Sequence, residues 1–335
     1  MKLSCVFCLL LSILIPSVAE AADKPTTSPR RVILDTDMLT DCDDAGAMAM
    51  LHALEDRGEI SLLGVLLNGV DSTGKHSAVV SAINTHFGRD DLPIGVTQRA
   101  ADTSPKKSSS YAPAIWDEFP HDGKRDADRP AALEVYRELL SAAPEHSVTI
   151  ISIGFLTNLD DLLRDEQGIA LIQSKVKRLV VMGGAYPSGK EYNFRFANAA
   201  NATGYVLENW PNDVPIVFTG YELGEIVKTG KGYQAAPPSP MKRCYELAYN
   251  SINKGRPSWD QTAVLFAARG VGHEGKTYFR EVAGGYNVLH ADGRNEWVTS
   301  ENSNHRHTYL QLATTADALA AEIEALMVAP PKHRK

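Results

Sequence analysis

The sequence predicts an α/β protein: a single domain with a mainly parallel central sheet flanked by helices, closed by a C-terminal β-hairpin and helix. Three observations carry this. Apolar runs of strand length alternate with helix-period segments from residue 30 onward. The strands read as near-continuous hydrophobic stretches, the pattern of a sheet covered on both faces. No linker divides the alternation before about residue 225, and no internal repeat is present, so residues 30–328 are taken as one domain.

The elements follow in order. "RRVIL" is a strand, and "DDAGAMAMLHALEDRG" a helix closed by Gly58. "ISLLGVLLNG" is a second apolar strand, followed by a helix over "KHSAVVSAINTHFG" and a strand at "LPIGV". "RPAALEVYRELLSAA" is helical, with Pro130 suited to the first turn. "SVTIISIG" is a strand, "LTNLDDLLRDEQGIALIQS" one helix, and "VKRLVVMGG" the next strand. "NATGYVLENW" is a helix and "VPIVFTG" a strand, while "KTGKGYQAAPPSP" reads as a surface excursion. Helices over "MKRCYELAYNSIN" and "DQTAVLFAARG" follow. "YNVLHADGRNEWVTS" is a hairpin turning at Asp292-Gly293, and "ADALAAEIEALM" is the final helix.

Ahead of the domain, Lys2 precedes the apolar run "VFCLLLSILI" and then the small residues Ala19 and Ala21. This is the order of a secretory signal peptide over residues 1–21, and it predicts export to a periplasmic or extracellular space. The run is short of the ~20 residues a spanning helix needs, and no membrane-length run follows in the mature chain. A net charge of -7 argues against nucleic acid as a partner. Cys5 and Cys8 leave with the leader. Cys42 and Cys244 are too few for a disulfide framework, and their pairing is left open, as is a homo-oligomer.

The chemistry concentrates in "DTDMLTDCDD", which places five aspartates in ten residues directly after the first strand. Two carboxylates about 4 Å apart repel by roughly 4 kcal/mol at an effective dielectric near 20. Protons, a bound cation or open solvent must relieve such a cluster. An EF-hand starting at Asp41 fails, because its fifth position is Ala45 and its twelfth His52. A phosphotransfer pair at Asp35 and Asp37 meets Leu39 where a small hydroxyl residue or Val belongs, and stays a minor alternative. A calcium site at the strand-to-helix junction fits best, since Ca²⁺ takes six to eight oxygen ligands. In open α/β sheets the carboxyl ends of the strands are where ligands bind, and "NGVDS", "IGFLTN" and "MGGAYPSGKEYN" follow other strands there.

"VILDTD" followed by "DDAGAMAML" resembles the N-terminal signature of the inosine-uridine-preferring nucleoside hydrolases, usually D-x-D-P-G-x-D-D-A. The resemblance continues through "IGFLTN", "VMGGAYPSGKEYN" and "WDQTAV", in the family's order, and covers roughly residues 31 to 270. It implies a calcium-dependent hydrolase that cleaves the N-glycosidic bond of nucleosides. Residue by residue, it makes Asp37 a calcium ligand and the general base, and Asp44 and Asp260 further calcium ligands. Ile153 supplies a backbone carbonyl to the ion. Asp43, Glu191 and Asn193 contact the ribose, with Asn68, or Asp71 beside it, near another sugar position. Two departures stand out. "DMLTDCDD" is two residues longer than the family pattern and adds Asp41, so either Asp37 or Asp41 is the base. Trp259 stands before Asp260 where many members have a histidine that protonates the leaving base, and an indole is a donor that does not titrate near neutral pH. If Trp259 lines the pocket, it holds the base by stacking and favours purines. The competing reading is an exported calcium-dependent protein that binds a ribosyl group without cleaving it.

Overall fold

In the computed structural model, the described residues are 28–99, 109–196, 199–300 and 302–332. The proposed leader lies outside them. No helix among the described residues is long and apolar enough to cross a membrane.

The strands of the main sheet are β1 (Arg30–Thr36), β2 (Ile60–Leu67), β3 (Ile94–Val96), β4 (Val148–Ser152), β5 (Val176–Met182), β6 (Ile216–Thr219) and β7 (Phe279–Val282). A hairpin of β8 (Gly285–Leu289) and β9 (Asn295–Thr299) follows, and β10 (His307–Leu312) returns to the sheet. The spatial order is β7-β10-β6-β5-β4-β1-β2-β3. Every pairing is parallel except β7 with β10, which is antiparallel at one edge.

Successive residues of the central strands point to opposite faces, as the two-residue strand period requires. Val32 and Leu34 enter one core and Ile33 the other; Val65 and Leu67 are likewise split from Leu66, and Ile151 from Ile150. The first core is covered by α1 (Asp43–Asp56), α2 (His76–His86), α7 (Trp259–Arg269) and α8 (Ala316–Met327). The second is covered by α3 (Ala132–Ala142), α4 (Thr157–Arg164), α5 (Glu166–Lys175) and α6 (Ala199–Asn209). Helix α1 is buried along nearly its whole length. A Cβ on its Gly46 would lie 2.5 Å from the Tyr245 hydroxyl. Only glycine allows α1 and its neighbours to approach so closely.

Four expectations need correction. The helix expected over residues 156–174 is two helices, because Asp165 is extended (φ -87°, ψ 125°) and its carboxylate caps α5 at Gly168 N, 2.7 Å away. The helix expected over 241–253 breaks where Tyr249 and Asn250 both take positive φ. Pro130 is not in the first turn of α3; it precedes the extended N-cap Ala131, and its carbonyl accepts from Val96 N at the sheet edge. The stretch 228–240 is not a plain surface excursion, since Tyr233 is buried and its hydroxyl donates to the Met327 carbonyl at 3.0 Å. The hairpin and the last helix lie where periodicity puts them. Cys42 and Cys244 are both buried free thiols.

Candidate active site

The acidic loop begins where β1 ends. Asp35, on the strand, is turned into the fold: it accepts from Asn68, from the Tyr136 hydroxyl at 2.7 Å and from Asn158 at 3.2 Å. Past Thr36 the chain folds back toward the start of α1. Met38 takes a left-handed backbone (φ 50°), which costs an L-residue roughly 1–2 kcal/mol. Its surroundings hold it there. Its N–H donates to Asp44 Oδ1 at 3.1 Å, its carbonyl accepts from His76 Nδ1 at 2.7 Å, and Thr36 Oγ1 also donates to Asp44. His76 Nε2 faces Asp71 Oδ1 at 2.9 Å. Both ring nitrogens therefore face acceptors, an arrangement that favours the imidazolium form. Burial opposes that charge, but Asp71 outweighs it and His76 is raised above its ordinary value. A Cβ on Gly154, just after β4, would sit 2.7 Å from Asp37 N, so glycine is needed for this strand end to meet the loop.

The turn gathers acids from both ends of the sequence. One oxygen each from Asp37, Asp41 and Asp44 lie within 4.8 Å of one another, as do oxygens from Asp43, Asp44 and Asp260. Asp44 belongs to both groups. Burial pushes it up to about 7, with Asp41 adding to the shift and the bonds from Thr36 and Met38 opposing it. Burial and neighbouring carboxylates also raise Asp37, Asp43 and Asp260 well above the usual range. Asp43 Oδ1 is buried without a hydrogen-bond partner. These groups fit a cation. The donors are all hard oxygens, one is unsatisfied, and a bound cation would favour the ionised forms that burial and mutual repulsion disfavour.

Above the acids opens a cavity of about 660 Å³. Ile153, after β4, lines it, and Asn193 reaches under it to donate to the carbonyls of Met182 (3.2 Å) and Ile153 (3.4 Å). Glu191 caps the short helix Tyr192–Arg195, accepting from Asn193 N and Phe194 N at 2.8 and 3.2 Å, and from Gly184 N at 3.1 Å. Burial raises Glu191 to about 7 despite these donors. On one side of the cavity Tyr192 stacks on Phe196, with centroids 4.4 Å apart. On another, Trp259 stacks on Tyr221 and donates from Nε1 to the Tyr221 carbonyl at 2.9 Å.

Asp37, Asp41, Asp43, Asp44, Ile153, Glu191, Asn193, Trp259 and Asp260 thus share one cavity. Asn68 does not line it. Its amide is turned beneath the cavity, donating to Asp35 and accepting from Phe155 N at 2.9 Å. Asp71 is likewise held by His76, Thr73 and Ser109. Sequence reasoning missed Arg256, the one basic residue lining the cavity among the described residues, and the rim tyrosines Tyr192, Tyr221 and Tyr249. The signal for Arg256 was its place three residues before Trp259 in "RPSWD".

The model of a family described as inosine-uridine preferring nucleoside hydrolase matches residues 32–319. No curated protein matches the chain. Among solved structures, the effector protein XOO4466 superposes with a TM-score of 0.68 at 14% identity, covering 92% of this chain and 95% of its own. A purine-preferring ribonucleoside hydrolase from Gardnerella vaginalis gives 0.66 at 13%, over 89% and 98%. An inosine-uridine preferring nucleoside hydrolase from Bacillus anthracis gives 0.65 at 17%, over 89% and 99%. At these identities the likeness is one of fold.

Proposed function

We propose that this chain, which belongs to the inosine-uridine preferring nucleoside hydrolase family, is an exported, calcium-dependent ribonucleoside hydrolase that favours purines. The observation that carries the reading is the pair of carboxylate groups sharing Asp44 at the floor of a cavity with aromatic walls. Asp37, Asp44, Asp260 and the Ile153 carbonyl would hold Ca²⁺. Bound there, the ion would supply Lewis-acid chemistry, lowering the pKa of water.

The rest falls to the chain. Asp37, or Asp41 beside it, takes the proton of the attacking water at a carboxylate oxygen. Asp43, Glu191 and Asn193 engage the ribose hydroxyls. The acids also stabilise the positive charge that develops on the sugar as the N-glycosidic bond breaks. Trp259 has no histidine's chemistry; its ring lines the cavity, stacked on Tyr221 and beside Arg256. With the exposed rings of Tyr192, Tyr221 and Tyr249 it would form the aromatic surface on which a purine stacks.

The test is a screen of purine and pyrimidine ribonucleosides for free sugar, with and without a calcium chelator, on mature protein. Sugar release that chelation abolishes and calcium restores is expected, fastest with purines. Calcium-dependent ribosyl binding with no release would identify a binding protein instead. Mg²⁺-dependent activity on phosphate esters in place of sugar release would point to the phosphotransfer alternative.

A further inference from the structure

Arg256 is the single cation among the described residues that line the acidic cavity. Its backbone is fixed by pairing of Arg256 with Thr229 in a short antiparallel ladder. Its guanidinium lies 4.9 Å from the ring of Tyr249 and 5.0 Å from that of Trp259. Nη2 bonds Asp41 at 2.5 Å, and Nε faces Asp43 at 3.7 Å. The acids therefore occupy the Nε–Nη2 side of the fork. Nη1 has no hydrogen-bond partner among the described residues, and the side chain is 19% exposed. A planar donor edge is held beside the aromatic wall, next to the aspartate assigned to the ribose.

From this we infer that Arg256 selects the nucleobase, making the substrates 6-oxopurine ribosides such as inosine and guanosine. The inference rests on the nucleoside hydrolase reading and narrows it. A 6-oxopurine presents two adjacent acceptors, O6 and N7, which match two parallel N–H groups of a guanidinium. Adenosine keeps N7 but offers an amino donor at position 6, and a guanidinium accepts nothing. The same contact at N7 draws electron density from the base as the glycosidic bond breaks. It does so where no titrating histidine stands before Asp260.

The experiment compares kcat/KM for inosine, guanosine, purine riboside (which has N7 but no 6-substituent) and adenosine, in wild type, Arg256→Lys and Arg256→Gln. Calcium content is measured for each, to separate loss of base recognition from damage to the acids that Arg256 touches. Wild type should favour inosine and guanosine over adenosine by about 10- to 100-fold, the range a bidentate base contact commands. Purine riboside should fall between. Arg256→Gln should lose far more on the oxopurines than on adenosine. Arg256→Lys should keep the charge without restoring selectivity, because an ammonium is a point donor. Equal cleavage of adenosine and inosine by wild type, or an equal loss on all four substrates, overturns the role. If no riboside releases sugar, the hydrolase reading is what fails. Equilibrium binding of hypoxanthine against adenine then decides Arg256: tighter hypoxanthine binding that Arg256→Gln abolishes supports it, and equal binding rejects it.

Discussion

Asp35 and Asp37 stand two residues apart at the end of β1, both buried, in opposite company. Asp35 is ringed by donors: the amides of Asn68 and Asn158 and the Tyr136 hydroxyl. Asp37 accepts from Leu39 N at 3.3 Å and otherwise faces Asp41, Asp43 and Asp44. Burial raises both. The difference teaches how to tell structural from functional acids. A buried carboxyl among donors is complete as it stands, whereas buried carboxyls among carboxyls need protons or a cation from outside.

The largest effect that could break this comparison comes from matched substitutions. Asp37→Asn should lower kcat by roughly 10² or more, typical for a lost general base, with little loss of stability. If kcat survives there and collapses in Asp41→Asn, the base is Asp41. Asp35→Asn should leave kcat within a few-fold and cost about 1–3 kcal/mol in urea denaturation, because a partner of the buried donors is lost. A collapse of kcat in Asp35→Asn at unchanged stability would erase the distinction.

A second, intermediate effect lies in pH. Asp44 has a folded value of about 7 against an ordinary 3.8, so its neutral form is favoured in the fold. Its contribution is complete below pH 4 and is lost as pH rises through 7. Glu191 and Asp35, also near 7, act in the same direction. Cation-free protein should therefore grow less stable between pH 4 and 8. Calcium should restore stability by about 2.7 kcal/mol at a hundred times its Kd. The gain should be larger at pH 8 than at pH 5, where protons compete for the same oxygens. Denaturation at both pH values, with chelator or calcium, measures it; an equal gain at both would contradict the cluster's assignment.

The smallest effect sharpens the other side. Tyr136→Phe removes one donor from Asp35 and should cost about 1–2 kcal/mol of stability. Turnover and calcium affinity should not change. A shift in calcium affinity would mean that the Asp35 network and the loop act together.

Much of this was legible in advance. Strand β1, helix α1, the hairpin and the last helix come from periodicity and turn chemistry, which act over a few residues. The breaks at Asp165 and at Tyr249-Asn250 were not. Helical spacing of apolar residues continues across Asp165, and only the backbone shows its side chain capping a new helix. Asn68 was placed at the cavity because sequence does not say which side chain after β2 faces it. Asn68 faces Asp35.

By itself, the sequence determined the alternating architecture and the concentration of acid at one strand end. The first is a local property of the backbone, and the second is a count of charges within one turn of chain. Only the tertiary structure decided which acids meet. Asp260 joins Asp43 and Asp44 because α7 packs beside α1, and Arg256 reaches Asp41 across 215 residues of sequence. A carboxylate's state depends on what lies within a few ångströms of it. Those neighbours are set by how helices close over the sheet, not by the order of residues along the chain.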